Sequence, residues 1–202
     1  MKKRLGLLAF FLVCGPLSNL EAQTPPATPA APAKSVNLAE KLIKAPDTDW
    51  SVYGTGQTNK RLETDGPKGY PCIRVTVTQK GTNPWDAGAV SPIPKPIGAN
   101  DTMLIVVYLR APNAKDGEKV PLPFVGLSAA AAPYTTLVSG PVSITNQWQQ
   151  YYVGGRAAQA AAVGGAQVSI HLAGDAHVID LGPIRVYDLG PDFNPAGLPK
   201  NQ

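Results

Sequence analysis

The sequence predicts an all-β domain, a two-sheet antiparallel β-sandwich, on three observations. Residues 102–111, TMLIVVYLRA, form a long apolar run with no Gly or Pro inside it, the pattern of a central strand buried on both faces. Its β-branched Thr102, Ile105, Val106 and Val107, with Tyr108, favour a pleated segment over a buried helix. Shorter runs nearby alternate. Residues 72–78 put Ile73, Val75 and Val77 on one face and Arg74, Thr76 and Thr78 on the other, and 168–172 send Val168, Ile170 and Leu172 inward, opposite Ser169 and His171. Finally, 20 glycines and 21 prolines fall between these runs as punctuation, which suits many short strands with no alternating helices.

Taken in order, residues 1–22 read as a secretory signal peptide: Lys2, Lys3 and Arg4, then the apolar run 5–13, then small or polar residues up to Ala22. The run is too short to span a bilayer, so a secreted or periplasmic protein is expected. Cys14 follows Val13 rather than a small residue, which fits lipoprotein processing poorly. Once Cys14 leaves with the signal, Cys72 has no partner for an internal disulfide and reads as a small buried hydrophobe. Residues 23–46 form a tether and lead-in. The stretch QTPPATPAAPAK is extended, and 35–44 are either a short amphipathic helix or a frayed approach to the domain. The folded domain is expected over 47–189, with 190–202 a Pro-rich tail along the surface.

Within the domain, strands are expected at 50–53, 72–78, 85–90, 102–111, 122–128, 135–138, 142–145, 148–153, 168–172, 178–181 and 184–189. Residues 157–163 favour helix by composition, but glycine pairs bound them, so a loop or single turn is expected.

The formal charge is +4, and Lys2, Lys3 and Arg4 of the signal supply much of it. With no basic cluster elsewhere, nucleic acid is not an expected partner. The G-x-S-x-G, H-E-x-x-H, P-loop and dinucleotide motifs are absent. His171, His177, Asp175 and Asp180 match no metal-ligand spacing, and the acids are too scattered to nominate a glycosidase pair. No enzyme is expected, and no required cofactor. Binding fits better. Arg74, Thr76, Ser169 and His171, with Gln149 and Tyr151, are placed opposite the core as a polar face. Sugars suit such a face: their C–H sides pack on aromatic rings and their hydroxyls pair with polar side chains. Trp85, beside Asp86, is either a rim platform or a seal for the sandwich edge. Trp148 reads as core, and Tyr134 sits in a loop with its direction open.

The run Asn83-Pro84-Trp85-Asp86-Ala87, the central strand, Trp148 with Tyr151, VSIHL at 168–172 and VIDLGPIRV at 178–186 follow one another in an order that resembles the carbohydrate-binding modules of families four and nine. The resemblance implies a galactose-binding-like jelly roll that holds polysaccharide along a concave face without chemistry, often attached to secreted glycoside hydrolases. It matches Trp85 to an aromatic near the first strands, and Trp148 and Tyr151 to a W-x-x-Y strand. Asp180 matches an acid that can help hold a structural calcium, although Leu181 and Gly182 stand where relatives often carry a second acid. Soluble glycans are expected rather than crystalline cellulose. The alternative is a sandwich of the cell envelope that docks a protein partner.

Overall fold

The computed structural model describes residues 37–201, so the expected signal peptide and the expected tether up to residue 36 lie outside the described residues. The chain forms strands β1 (Leu42–Asp47), β2 (Ser51–Gly54), β3 (Gln57–Leu62), β4 (Cys72–Val77), β5 (Ala87–Ile93) and β6 (Thr102–Arg110). Then follow β7 (Val120–Ala129), β8 (Thr136–Ile144), β9 (Gln149–Arg156), β10 (Ala166–His171) and β11 (His177–Asp188). They build two antiparallel sheets. The first runs β3-β4-β11-β6-β9, with β1 also paired to β11, and the second runs β2-β5-β10-β7-β8. This is the two-sheet β-sandwich that the alternation predicts.

The core follows from that alternation. Met103, Ile105, Val107 and Leu109 of β6 pack inward against Val168 and Ile170 of β10 and Val125 and Leu127 of β7, within one buried cluster. Trp50 is the buried tryptophan, 8% exposed, and its Nε1 donates to the Gly182 carbonyl at 2.9 Å. The other face of β6 is covered as well. Leu104 and Val106 form a second cluster with Leu189, against which Phe193 and Leu198 pack. The central strand is therefore buried on both sides, as its unbroken apolar run requires.

The second cluster shows what residues 190–201 do along the surface: they pack on the outer face of β6. Thr102 Oγ1 donates to the Phe193 carbonyl at 2.8 Å, and Asn201 and Tyr152 exchange two bonds at 2.8 and 2.9 Å. The tail is the lid that Leu104 and Val106 need. Gly154 lets it close, because a Cβ there would stand 2.7 Å from Leu198 Cδ1. At the other end, residues 38–41 turn into β1, where a helix was the alternative. β1 pairs with the second half of β11 while β4 takes the first half. The runs at 178–181 and 184–189 are one strand with a register shift between Leu181 and Ile184, and 135–138 and 142–145 are likewise joined in β8. Among the described residues no helix is long and apolar enough to cross a membrane.

Candidate functional site: an uncharged aromatic groove

The outer face of the second sheet is set by register. In β10, Gln167, Ser169 and His171 point away from the core. Gln167 sits opposite Ser128, Ser169 between Gly126 and Val90, and His171 opposite Gly88, which also faces Tyr53. Small residues along the middle strands leave a trough. Gly88 is needed for it: a Cβ there would lie 2.5 Å from Tyr53 Oη, so only glycine lets that ring lie over the strand. Aromatic and proline side chains then wall a groove of about 900 Å³, within the usual range of ligand sites.

Trp85 stands at one wall, 55% exposed. Residues Pro84–Asp86 form a short 3-10 turn rather than the strand expected from residue 85, and Asn83 and Asp86 close a capping box across it. The Asn83 backbone N–H donates to Asp86 Oδ2 at 2.8 Å, and this bond holds the carboxyl below its ordinary range. Asp86 therefore aims Trp85 and does not itself line the groove. The indole meets His171 edge-on with centroids 5.9 Å apart, and His171 stacks on Phe124 at 4.2 Å.

Burial pushes the His171 imidazole below its usual pKa. The neutral ring offers one N–H and one lone pair, a donor and an acceptor for hydroxyls. Burial, reinforced by the neighbouring Tyr134, raises the Tyr53 phenol and keeps its proton on. Tyr134, 59% exposed, also lines the groove. The Ser128 and Ser169 hydroxyls share a bond of 2.8 Å on the floor, beside Gln167. Among the described residues, no Asp, Glu, Lys or Arg lines the groove.

Of the residues singled out from the sequence, Trp85, Tyr134, His171 and Ser169 line this groove. Arg74 lies on the outer face of the first sheet, paired in register with Asp180. Alternation identified its outward parity but not which sheet it belongs to. Tyr151 is corrected to core: it is 3% exposed, faces Val107 across β9 and β6, and its hydroxyl accepts from the Thr145 N–H at 3.1 Å. Gln149 shares that inward parity at the strand's start, exposed but on the first sheet. The outward residues of β9 are Gln150 and Tyr152, one step from the expected parity. Tyr53, Phe124 and Gln167 were missed. Gln167 alone had a usable signal, the period of two that extends from Ser169 and His171.

Asp180, the acid matched to a calcium position by the resemblance, is engaged by two arginines. It is 0% exposed, and its carboxylate is filled by Arg74 Nε at 2.7 Å and Nη2 at 2.8 Å and by Arg110 Nε at 2.7 Å. Calcium takes 6–8 oxygens, and among the described residues no group of three or more His, Cys, Asp and Glu is placed to hold a metal. Two guanidiniums surround the carboxylate. Trp148 covers them instead of entering the core. Half-buried, it donates Nε1 to the Asp65 carbonyl at 2.9 Å and carries the Arg110 guanidinium 4.9 Å from its ring centre. Cys72 is buried nearby, and burial followed by the Asp180 charge pushes its thiol up to about 11, so it stays protonated.

A pH dependence of stability follows from the two histidines. Burial lowers both, and His177 bonds the Leu172 carbonyl through Nε2 at 2.7 Å while Nδ1 is buried without a partner. The unfolded chain takes up these protons near the ordinary value of 6.5, and the folded chain only at lower pH. Between those values the unfolded state binds more protons, so stability rises with pH. The thermal midpoint is expected to fall steadily as pH drops below about 6.5, ahead of the carboxylates. A flat midpoint down to about pH 5 would mean that both rings charge freely in the fold.

No protein-family model and no curated protein matches the chain. Solved structures do. The second N-terminal cellulose-binding domain of Cellulomonas fimi β-1,4-glucanase C superposes with a TM-score of 0.51 at 20% identity, over 79% of this chain and 98% of that one. The fold is that of a carbohydrate-binding module. A family 4 module agrees, with a TM-score of 0.50 at 17% identity over 75% of this chain and 99% of that chain. The CBM22-1 and GH10 modules of Clostridium thermocellum endo-1,4-β-D-xylanase 10B, complexed with xylohexaose, give 0.50 at 11% identity over 72% of this chain. This chain spans only 28% of that xylanase structure. At these identities the likeness is one of fold, and it upholds the jelly roll that the resemblance implied.

Proposed function

We propose that the domain is a non-catalytic module that binds neutral polysaccharide chains along the groove of the second sheet, outside the cytoplasm. The observation that carries this reading is the lining itself. Trp85, Tyr53, Tyr134 and Phe124 offer ring faces, His171, Gln167 and the tyrosine hydroxyls offer hydrogen bonds, and no charged group is present among the described lining residues. Rings take the C–H faces of pyranoses, and the polar groups take their hydroxyls. Glycoside hydrolysis needs two carboxylates across the bond, and the lining has none.

The fold neighbours support the same ligand class, since one is called a cellulose-binding domain and another holds xylohexaose. A groove suits a single soluble chain better than the flat face of crystalline cellulose. The expected affinity is millimolar to micromolar, about −4 to −8 kcal/mol. The signal-peptide pattern of residues 1–22 supports export, where a partner enzyme acting on the same polysaccharide, such as a secreted glycoside hydrolase, would gain from it. Affinity electrophoresis on soluble xylan and β-glucans, with pull-down on insoluble glycans, tests the proposal. Retardation by at least one neutral glycan is expected. Uniform failure across plant and bacterial glycans would overturn it in favour of protein docking.

A further inference from the structure

A second recess lies on the outer side of the first sheet, where β11 breaks register after Leu181. It measures about 470 Å³ and sits between the end of β1, the 67–71 turn and Tyr108 of β6. Its chemistry is unlike that of the groove. Lys68 and Arg185 both line it, and neither enters any of the ion pairs among the described residues. The one acid among the described lining residues, Asp47, is already engaged: Oδ2 accepts from Lys44 Nζ at 2.8 Å and Oδ1 from the Asp49 N–H at 3.2 Å. The recess therefore presents two uncompensated cations.

The rest of the lining is largely tyrosine and proline. Tyr70 is 59% exposed, and Pro46, Pro71 and Pro183 stand around it. Lys68 is held in the left-handed region at φ 56°, an uncommon conformation for a residue other than glycine, in the turn that carries Tyr70. A guanidinium pairs a carboxylate in fork geometry, while an exposed tyrosine takes the C–H face of a sugar ring.

We propose that this recess is a second carbohydrate site, for an acidic sugar, and that it holds a uronic acid residue with its carboxylate on Arg185 and Lys68 and its ring against Tyr70. A neutral sugar leaves the two cations unused, and a simple anion leaves the ring unused. The uronate satisfies both. The site goes beyond the neutral-glycan groove and stands whether or not the groove binds as proposed.

Trigalacturonate, titrated into the intact domain and followed by NMR and calorimetry, tests this. Binding is expected to shift the Tyr70 and Tyr108 ring signals and to weaken as salt is raised. Arg185→Gln is expected to weaken it at least about tenfold. Lys68→Gln, on an exposed turn, should weaken it without touching the sheet. Trp85→Ala should leave it unchanged. Equal affinity for uncharged galactotriose would overturn the proposal. So would equal affinity for poly-L-glutamate, which carries the charge without the sugar, loss of binding in Trp85→Ala, or no binding at all.

Discussion

Trp85→Ala is expected to abolish glycan retention while moving the thermal midpoint by no more than a few degrees. The indole is 55% exposed, and its recorded ring contact is an edge-on approach to His171. Its aim comes from the backbone of the turn, through the Asn83–Asp86 capping box and the Ala173 N–H bonded to the Pro84 carbonyl at 2.9 Å. The turn therefore survives truncation of the ring. What disappears is the broadest apolar plane open to a sugar. Buried tryptophan anchors commonly cost 2 kcal/mol or more when truncated, and about 1.4 kcal/mol is tenfold in affinity. For a ligand already in the millimolar to micromolar range, that loss ends retention on a gel. Affinity electrophoresis paired with a thermal melt reads both quantities. A collapse of stability would make Trp85 a packing residue, and unchanged retention would place the ligand elsewhere. Trp148→Ala, on the other sheet, is the control that should retain the glycan.

The difference between these two tryptophans shows what the sequence could and could not reveal. A run such as residues 102–111 has one physical solution, burial on both faces, and β6 adopts it. The alternation of 168–172 likewise put His171 and Ser169 outside. Parity is a property of one strand, however, and a sandwich has two outer faces. Arg74 and His171 are both outward, but on opposite sides of the molecule, and only the pairing order separates them. Tyr151 was misplaced because reading Trp148 as core set the phase of its strand, whereas Trp148 lies outside the core against Asp65 and Arg110 and Tyr151 faces inward. The edge strand β3, QTNKRL, has no apolar face to announce it. β1 was hidden by Pro46 and by leucines at helical spacing. The groove's Tyr53 and Phe124 come from separate strands, and no local pattern links them.

Asp180→Ala is expected to be the most destabilising single change outside the apolar core. The carboxylate is fully buried, while Arg74 and Arg110 are only 25% and 20% exposed and both direct Nε at it. Asp65 also touches the two guanidiniums, but at 3.3 Å and 55% exposed it is too weak and too wet to replace Asp180. Removing the central acid leaves two like charges side by side beneath Trp148. Breaking a buried ion pair in this way costs roughly 3–5 kcal/mol. At about 2–4 °C per kcal/mol for a domain of this size, the midpoint should fall by about 6–20 °C. Asp180→Asn should recover only part of that, because it restores an acceptor but no charge. A chelator separates this account from calcium binding. With arginines filling the carboxylate, chelation leaves the wild-type midpoint where it is. Calcium held by Asp180 would instead make the wild type sensitive to the chelator and the Asp180→Ala variant indifferent to it.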